Sequence, residues 1–173
     1  MVTSGIPRFV IRPSNKHISA QIIEAKVDGD LVMASAHSSE LKDFGWKGSC
    51  GNIPAAYLTG LLAGRRAKAG GVSKAILDIG LCARGPGSRI FAAAKGALTA
   101  GLTIPHDDSI MPPQERLKGQ HVVEYSKRLA AEPETYRKFF SRYLKQKLKP
   151  EDLSSHLSEV ESKIMAPEAE ANK

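Results

Sequence analysis

Residues 7–23 read PRFVIRPSNKHISAQII, and this stretch decides the architecture. From Pro7 to Arg12, Phe9 and Ile11 alternate with Arg8, Val10 and Arg12, the two-residue period of a half-buried strand. From His17 to Ile23, Ile18, Ala20 and Ile22 oppose His17, Ser19 and Gln21 in the same way. Between the two runs stand Pro13, Ser14, Asn15 and Lys16. Proline presets its φ, and Ser and Asn side chains bond to nearby backbone, so this is turn chemistry. Two strands joined by it form an antiparallel hairpin with one apolar and one polar face.

Working outward, Asp28 and Gly29 make a second turn before a third strand at about 31–36, which gives a three-strand antiparallel meander. The loop HSSELKDFGWKGSCG (37–51) leads to a helix that Asn52 caps, with Pro54 tolerated in its first turn. Its apolar stripe is Ile53, Tyr57 and Leu61 with Leu58 and Leu62, and it ends in Arg65, Arg66 and Lys68, cations at the favourable end of the helix dipole. The run AILDIGL (75–81) reads as a buried strand. GPGSR (85–89) reads as a turn whose Ser88 caps a second helix, about 88–100, stopped by Gly101. The expected fold is therefore α/β: the meander continues into a mixed sheet with packed helices. After Pro105 the composition changes, and DDSIMPPQ (107–114) links to three helical patterns at about 115–131, 134–148 and 151–164. The expected organisation is an α/β domain over 1–108, a helical extension over 109–165 and a disordered tail, APEAEANK, over 166–173.

The chain has 173 residues, 42% of them hydrophobic, enough for one sizeable core. Its formal net charge of +7 favours an anionic partner, although a plain solvated lysine surface has the same charge. Cys50 and Cys82 lie far apart with no CxxC spacing, so neither a zinc knuckle nor a disulfide framework is expected. No apolar run reaches the length of a spanning helix, which makes a soluble, cytosolic chain without a membrane partner the expectation.

No acidic residue precedes Glu24, and none falls between Asp78 and Asp107, where Arg84, Arg89 and Lys95 do. Acid-free basic stretches suit phosphate contact. The polar hairpin face offers Arg8, Arg12, His17, Ser19 and Gln21 beside Asn15 and Lys16, which combines point charges with groups that reach 2′-hydroxyls and base edges. In a helix over 134–149, Lys138, Arg142, Lys145 and Lys149 form one basic stripe and Tyr136, Phe140 and Tyr143 fall opposite. No carboxylate occurs from 137 to 149, although a solvated face gives such stripes too.

Catalysis finds little support. Two-metal nuclease chemistry needs several converging carboxylates, and only Asp78 lies on an expected core strand. The histidines His17, His37, His106, His121 and His156 lack metal-ligand spacing, and GPGSR lacks that of a phosphate loop. No cofactor is expected. The start of the second helix, with Arg84 and Arg89, still suits a backbone phosphate.

The stretch 7–23 closely resembles the opening strands of the ribosomal protein L-eighteen family. ASAHSSELKDFGW (34–46), GNIPAAYLTGLLAGRRA (51–67), AILDIGL, PGSRIFAAAKGALTAGLTIPHDD (86–108) and ERLKGQHVVEY (115–125) are similar to its archaeal and eukaryotic branch in order and spacing. The resemblance implies an α/β fold with RNase H-like topology but without catalytic carboxylates. It also implies a structural role in the large ribosomal subunit, binding 5S rRNA and attaching it to 23S rRNA and neighbouring ribosomal proteins in the central protuberance. Matched to the family, the RNA-facing positions are Arg8, Arg12, Ser14, Asn15, Lys16, His17 and Gln21, with His37, Ser38, Lys47, Asn52, Arg84, Ser88 and Arg89 from the loops and second helix start. Two departures stand: archaeal members carry a strongly basic arm ahead of the SGxPR stretch where this sequence has only a few residues, and Pro13 occupies a frequently basic position. The rival readings are an RNase H-like metal-dependent nuclease and an RNA-free assembly or adaptor protein.

Overall fold

In the computed structural model, which describes residues 5–81 and 85–166, the hairpin forms as its alternation predicts. Strands β1 (Arg8–Pro13) and β2 (Ile18–Lys26) pair antiparallel, with Phe9 opposite Ile22, Val10 opposite Gln21 and Arg12 opposite Ser19. β3 (Gly29–His37) pairs antiparallel with β2, and Met33 is an extra residue on β3 where Ile22 faces Ala34 and Ile23 faces Val32. At and beyond that bulge Leu31, Val32 and Met33 are exposed on both faces of the edge strand. β4 (Ile76–Asp78) runs parallel to β1, so the sheet is mixed, in the order β3-β2-β1-β4.

β4 is shorter than the strand expected over 75–81. Gly80 takes φ +61° and its N–H donates to Asp78 Oδ1 at 2.9 Å, which turns the chain away and leaves Leu81 fully exposed.

Helices α1 (Ile53–Ala69) and α2 (Arg89–Thr99) pack on the face bearing Phe9, Ile11, Ile18, Ala20 and Ile22, all of them fully buried. Asn52 caps α1 as expected, its Oδ1 accepting the N–H of Ala55 at 3.0 Å. Ser88 stands at the N-cap position of α2 but makes no capping bond, contrary to expectation. The stripe read for α1 understates its burial, because Ala55, Gly60, Ala63 and Ala67 are buried as well. The reason is the crossing with α2. A Cβ built on Gly60 would lie 1.9 Å from Ala93 O, and one on Gly96 would lie 2.0 Å from Tyr57 O. Only glycine lets the two backbones come so near.

The C-terminal half is more broken than its patterns suggest. The segment expected as one helix over 115–131 splits into α3 (Gln114–Leu117) and α4 (Gln120–Leu129) at Gly119, whose φ is +75°. The helix expected over 134–148 splits into α5 (Pro133–Phe139) and α6 (Ser141–Lys145), because Phe140 leaves helical geometry and turns its ring inward against Tyr136 and Tyr143. α7 (Leu153–Met165) follows, as expected. Its Leu153, Leu157, Val160 and Ile164 join the same apolar core as the sheet and α1. Tyr57 O–H donates to Glu161 Oε1 at 2.5 Å, Arg65 donates to the Ile164 carbonyl, and Trp46 stacks on His156 at 5.3 Å, so α7 is fastened along its length. Of the tail expected over 166–173, residues 167–173 lie outside the described residues. Among the described residues no helix is long and apolar enough to cross a membrane.

Candidate nucleic-acid interface

The hairpin tip is closed by its own residues. Ser14 N–H donates to His17 O at 2.8 Å, and Ser14 Oγ accepts the N–H of His17 at 3.0 Å. Asn15 and Lys16 at the tip are exposed. Behind the tip, Arg89 at the start of α2 donates through Nη1 to Ser14 O at 2.7 Å and to Gly51 O at 2.9 Å. One guanidinium thus ties three chain segments together. Gly51 permits this, since a Cβ there would lie 2.9 Å from Asn15 O. Through Nη1, Arg89 therefore acts as a clamp within the fold.

Beside the tip, His17 and His37 stack with ring centroids 5.0 Å apart. Ser39 N–H donates to His37 Nδ1 at 3.3 Å, which leaves the proton of the neutral ring on Nε2. Ser38 Oγ accepts the N–H of Ile18 at 3.0 Å and lies 3.3 Å from His17 Nδ1. Ser38 is wholly buried, so its expected RNA contact is corrected to an internal one. Burial, then His37, Lys42, Arg142 and Lys16, hold the His17 imidazole below its ordinary range. Arg142 therefore sits within electrostatic reach of the hairpin. Asn52 Nδ2 donates to the Tyr143 hydroxyl at 3.4 Å, which brings α6 to the start of α1.

The other sheet face carries Arg8, Arg12 and Gln21, as the alternation predicts. Its arginines are not free cations. Arg8 pairs with Asp30 at 2.6 Å and Asp78 at 3.6 Å, and Arg12 pairs with Asp78 at 3.1 Å and donates to its carbonyl at 3.0 Å. Burial works against ionisation of Asp78, but the Arg12 hydrogen bond, the Gly80 N–H and both guanidiniums outweigh it and hold its carboxyl below the usual value.

The structure thus gathers Ser14, Asn15, Lys16, His17, His37, Ser38, Asn52, Arg89 and Arg142 around one corner, with Arg8, Arg12 and Gln21 along the adjoining sheet face. The Lys47 side chain is exposed, and its backbone N–H donates to His156 Nε2 at 3.0 Å, so the residue stands beside α7. Ser88 is half-buried, its Oγ without a partner among the described residues, and Arg84 lies outside them. Lys138 and Lys145 are exposed, yet the stripe is shared between α5 and α6 and not carried by one helix. Lys42 was not expected at the site. The loop that carries it is also acidic, with Glu40 and Asp43, and nothing in the sequence shows that the chain brings Lys42 within electrostatic reach of His17. Among the described residues no cluster of three or more histidine, cysteine or acidic side chains is placed to hold a metal ion.

The family profile described as ribosomal large subunit proteins 60S L5 and 50S L18 matches residues 4–71 and 68–107. The chain belongs to this family. It is 49% identical over 167 residues to the large ribosomal subunit protein uL18 of Caldivirga maquilingensis, covering 95% of this chain and 81% of that one. Against uL18 of Methanococcus maripaludis it is 48% identical over 165 residues, covering 95% and 86%. Against uL18 of Aeropyrum pernix it is 49% identical over 166 residues, covering 95% and 78%. As a member of the uL18 family the chain is a structural protein of the large ribosomal subunit, and the ribosome is its place of work. The corner built by the hairpin, β3 end and α2 start falls within the matched residues.

Proposed function

We propose that the hairpin corner binds 5S rRNA and helps to attach it to 23S rRNA and neighbouring ribosomal proteins, with no catalytic role. The observation that carries this reading is the clamp by which Arg89 holds Ser14 O and Gly51 O, so that Asn15 and Lys16 stand out on a rigid support. A preorganised tip loses little entropy on binding. Lys16 supplies a phosphate contact, while Asn15 and Gln21 supply donors and acceptors for 2′-hydroxyls and base edges. In this reading residues 1–108 are the RNA-binding unit, 109–165 are an extension whose Lys138, Arg142 and Lys145 add phosphate contacts, and the topology is RNase H-like. A nuclease role is disfavoured, since Asp78, the carboxylate on β4, is held by two arginines.

Binding of the full chain to 5S rRNA and to a control RNA of equal length, across a salt series, tests the reading. Asn15→Ala and Gln21→Ala are expected to narrow the preference for 5S rRNA without changing the salt slope. Equal affinity of the unaltered chain for both RNAs overturns it.

A further inference from the structure

We propose that the stacked His17–His37 pair makes RNA binding proton-linked, taking up one proton when a phosphodiester enters the cluster of Lys16, Lys42 and Arg142. This rests on the reading of the corner as an RNA surface. The geometry is specific. The two rings stack at 5.0 Å, each turns Nδ1 to a serine of the β3 end, and no Nε2 bond is present on either ring among the described residues. With Nδ1 of His37 accepting the Ser39 N–H, the neutral ring offers Nε2–H as a donor and a second proton has to go onto Nδ1. That proton displaces the Ser39 N–H from Nδ1 and donates instead to Ser39 Oγ, 2.6 Å away, once the hydroxyl turns.

The charges facing the pair fix the direction of the coupling. Lys16 comes from the tip, Lys42 from the short helical turn after β3 and Arg142 from α6. Glu40 is the nearby carboxylate. Its Oε1 accepts the His37 N–H at 2.6 Å and its Oε2 pairs with Arg66 at 2.6 Å, so it is already neutralised. In the free protein burial, then the neighbouring His37 ring and these cations, disfavour charging the His17 ring. A phosphodiester reverses the local sign. It neutralises the cations and rewards an imidazolium, so the pair binds a proton more tightly in the complex than alone. By linkage, RNA then binds more tightly where protons are more abundant.

The test is the affinity of the full chain for a 5S rRNA transcript at pH 7.5 and 5.5, at constant ionic strength, for the unaltered chain and for His17→Gln and His37→Gln. The unaltered chain is expected to tighten by up to about tenfold per proton taken up over one unit of pH. Either glutamine variant is expected to lose most of that gain, while His106, His121 and His156, present in all three, cancel in the comparison. RNA binding whose pH response is the same in all three chains overturns the proposal and leaves the RNA reading standing. No RNA binding at either pH overturns both. Should a variant fail to fold, the imidazole C2–H titrations of the unaltered chain decide. A midpoint of His17 or His37 that rises on adding RNA supports the linkage, and midpoints that stay in place overturn it.

Discussion

Arg12 on β1 and Asp78 on β4 are joined across the parallel strand pair, Nη2 to Oδ1 at 3.1 Å, with a second bond from Nη1 to the Asp78 carbonyl at 3.0 Å. The carboxylate that a nuclease reading would assign to a metal is thus the counter-ion of the sheet face. It spends part of the positive charge that the hairpin would otherwise show to RNA.

Asp78→Asn is expected to steepen the salt dependence of RNA association, by about 0.7 in the slope of log affinity against log salt if one arginine is released. The structural cost is about 1 kcal/mol or more, since Asp78 is only 16% exposed and Arg8 20%, so the cluster is screened less than a surface pair. Asp78 ionises more readily folded than unfolded, so its contribution is present above the ordinary aspartate range and is lost as pH falls through its lowered folded value. An unchanged slope shows that both arginines stay neutralised or turned away.

Lys16→Ala and Arg89→Ala separate contact from support. Lys16 is exposed at the tip, and its loss is expected to lower the slope by about 0.7 to 1. Arg89 is bound to two carbonyls, so its loss is expected to weaken affinity for 5S rRNA while changing the slope less than Lys16→Ala does. Equal slope changes in the two variants would place Arg89 on the phosphates.

Gly96→Ala is expected to destabilise the fold by about 1–3 kcal/mol or more, the usual cost of overpacking, because its methyl group meets the Tyr57 carbonyl and no side chain that can swing aside. Gly85→Ala, with nothing within 4 Å, is the control. Thermal unfolding of the two variants measures the difference, and equal melting temperatures would mean that the helices separate freely.

His156 stacks on Trp46 and accepts the Lys47 backbone N–H at Nε2, an acceptor role for the neutral ring alone. Burial first, then Lys47 and Lys163, outweigh Glu159 and lower its affinity for a proton. A histidine so depressed in the folded state stabilises fully above its unfolded value of about 6.5, and that stability drains away as pH falls through the lower folded value. Acidification from pH 7.5 to 5 should therefore loosen α7 first. Amide exchange over 153–165 reads this, and uniform protection at both pH values counts against it.

The hairpin was legible because a period of two and a Pro-Ser-Asn-Lys turn leave one register that buries Phe9, Ile11, Ile18 and Ile22. The cap at Asn52 was legible for a similarly local reason. β4 was overread, since AILDIGL is apolar but for Asp78 and only the tertiary turn at Gly80 cuts it short. Phe140 defeated the helix expected over 134–148 because the gain in burying its ring exceeds the cost of breaking a short helix, a balance that periodicity does not record. At the site, the residue types are legible in the sequence and their partners within the fold are not. Charge pattern identifies Arg8, Arg12 and Arg89 as cations, whereas the partners that occupy them, Asp30, Asp78 and two carbonyls, come from 22 to 75 residues away.

The glycine crossing of α1 and α2 has a reach beyond the core. Gly96 and Arg89 ride on one stiff rod, about 10 Å apart at the rise of an α-helix. With Gly96 seated against the Tyr57 carbonyl, the rod lies low, and its far end brings a guanidinium within bonding distance of two other segments. A methyl group at position 96 would work as a wedge under one end of a lever. The damage would surface at the tip of the hairpin, so a lesion in the middle of the protein would present itself as a fault in gripping RNA.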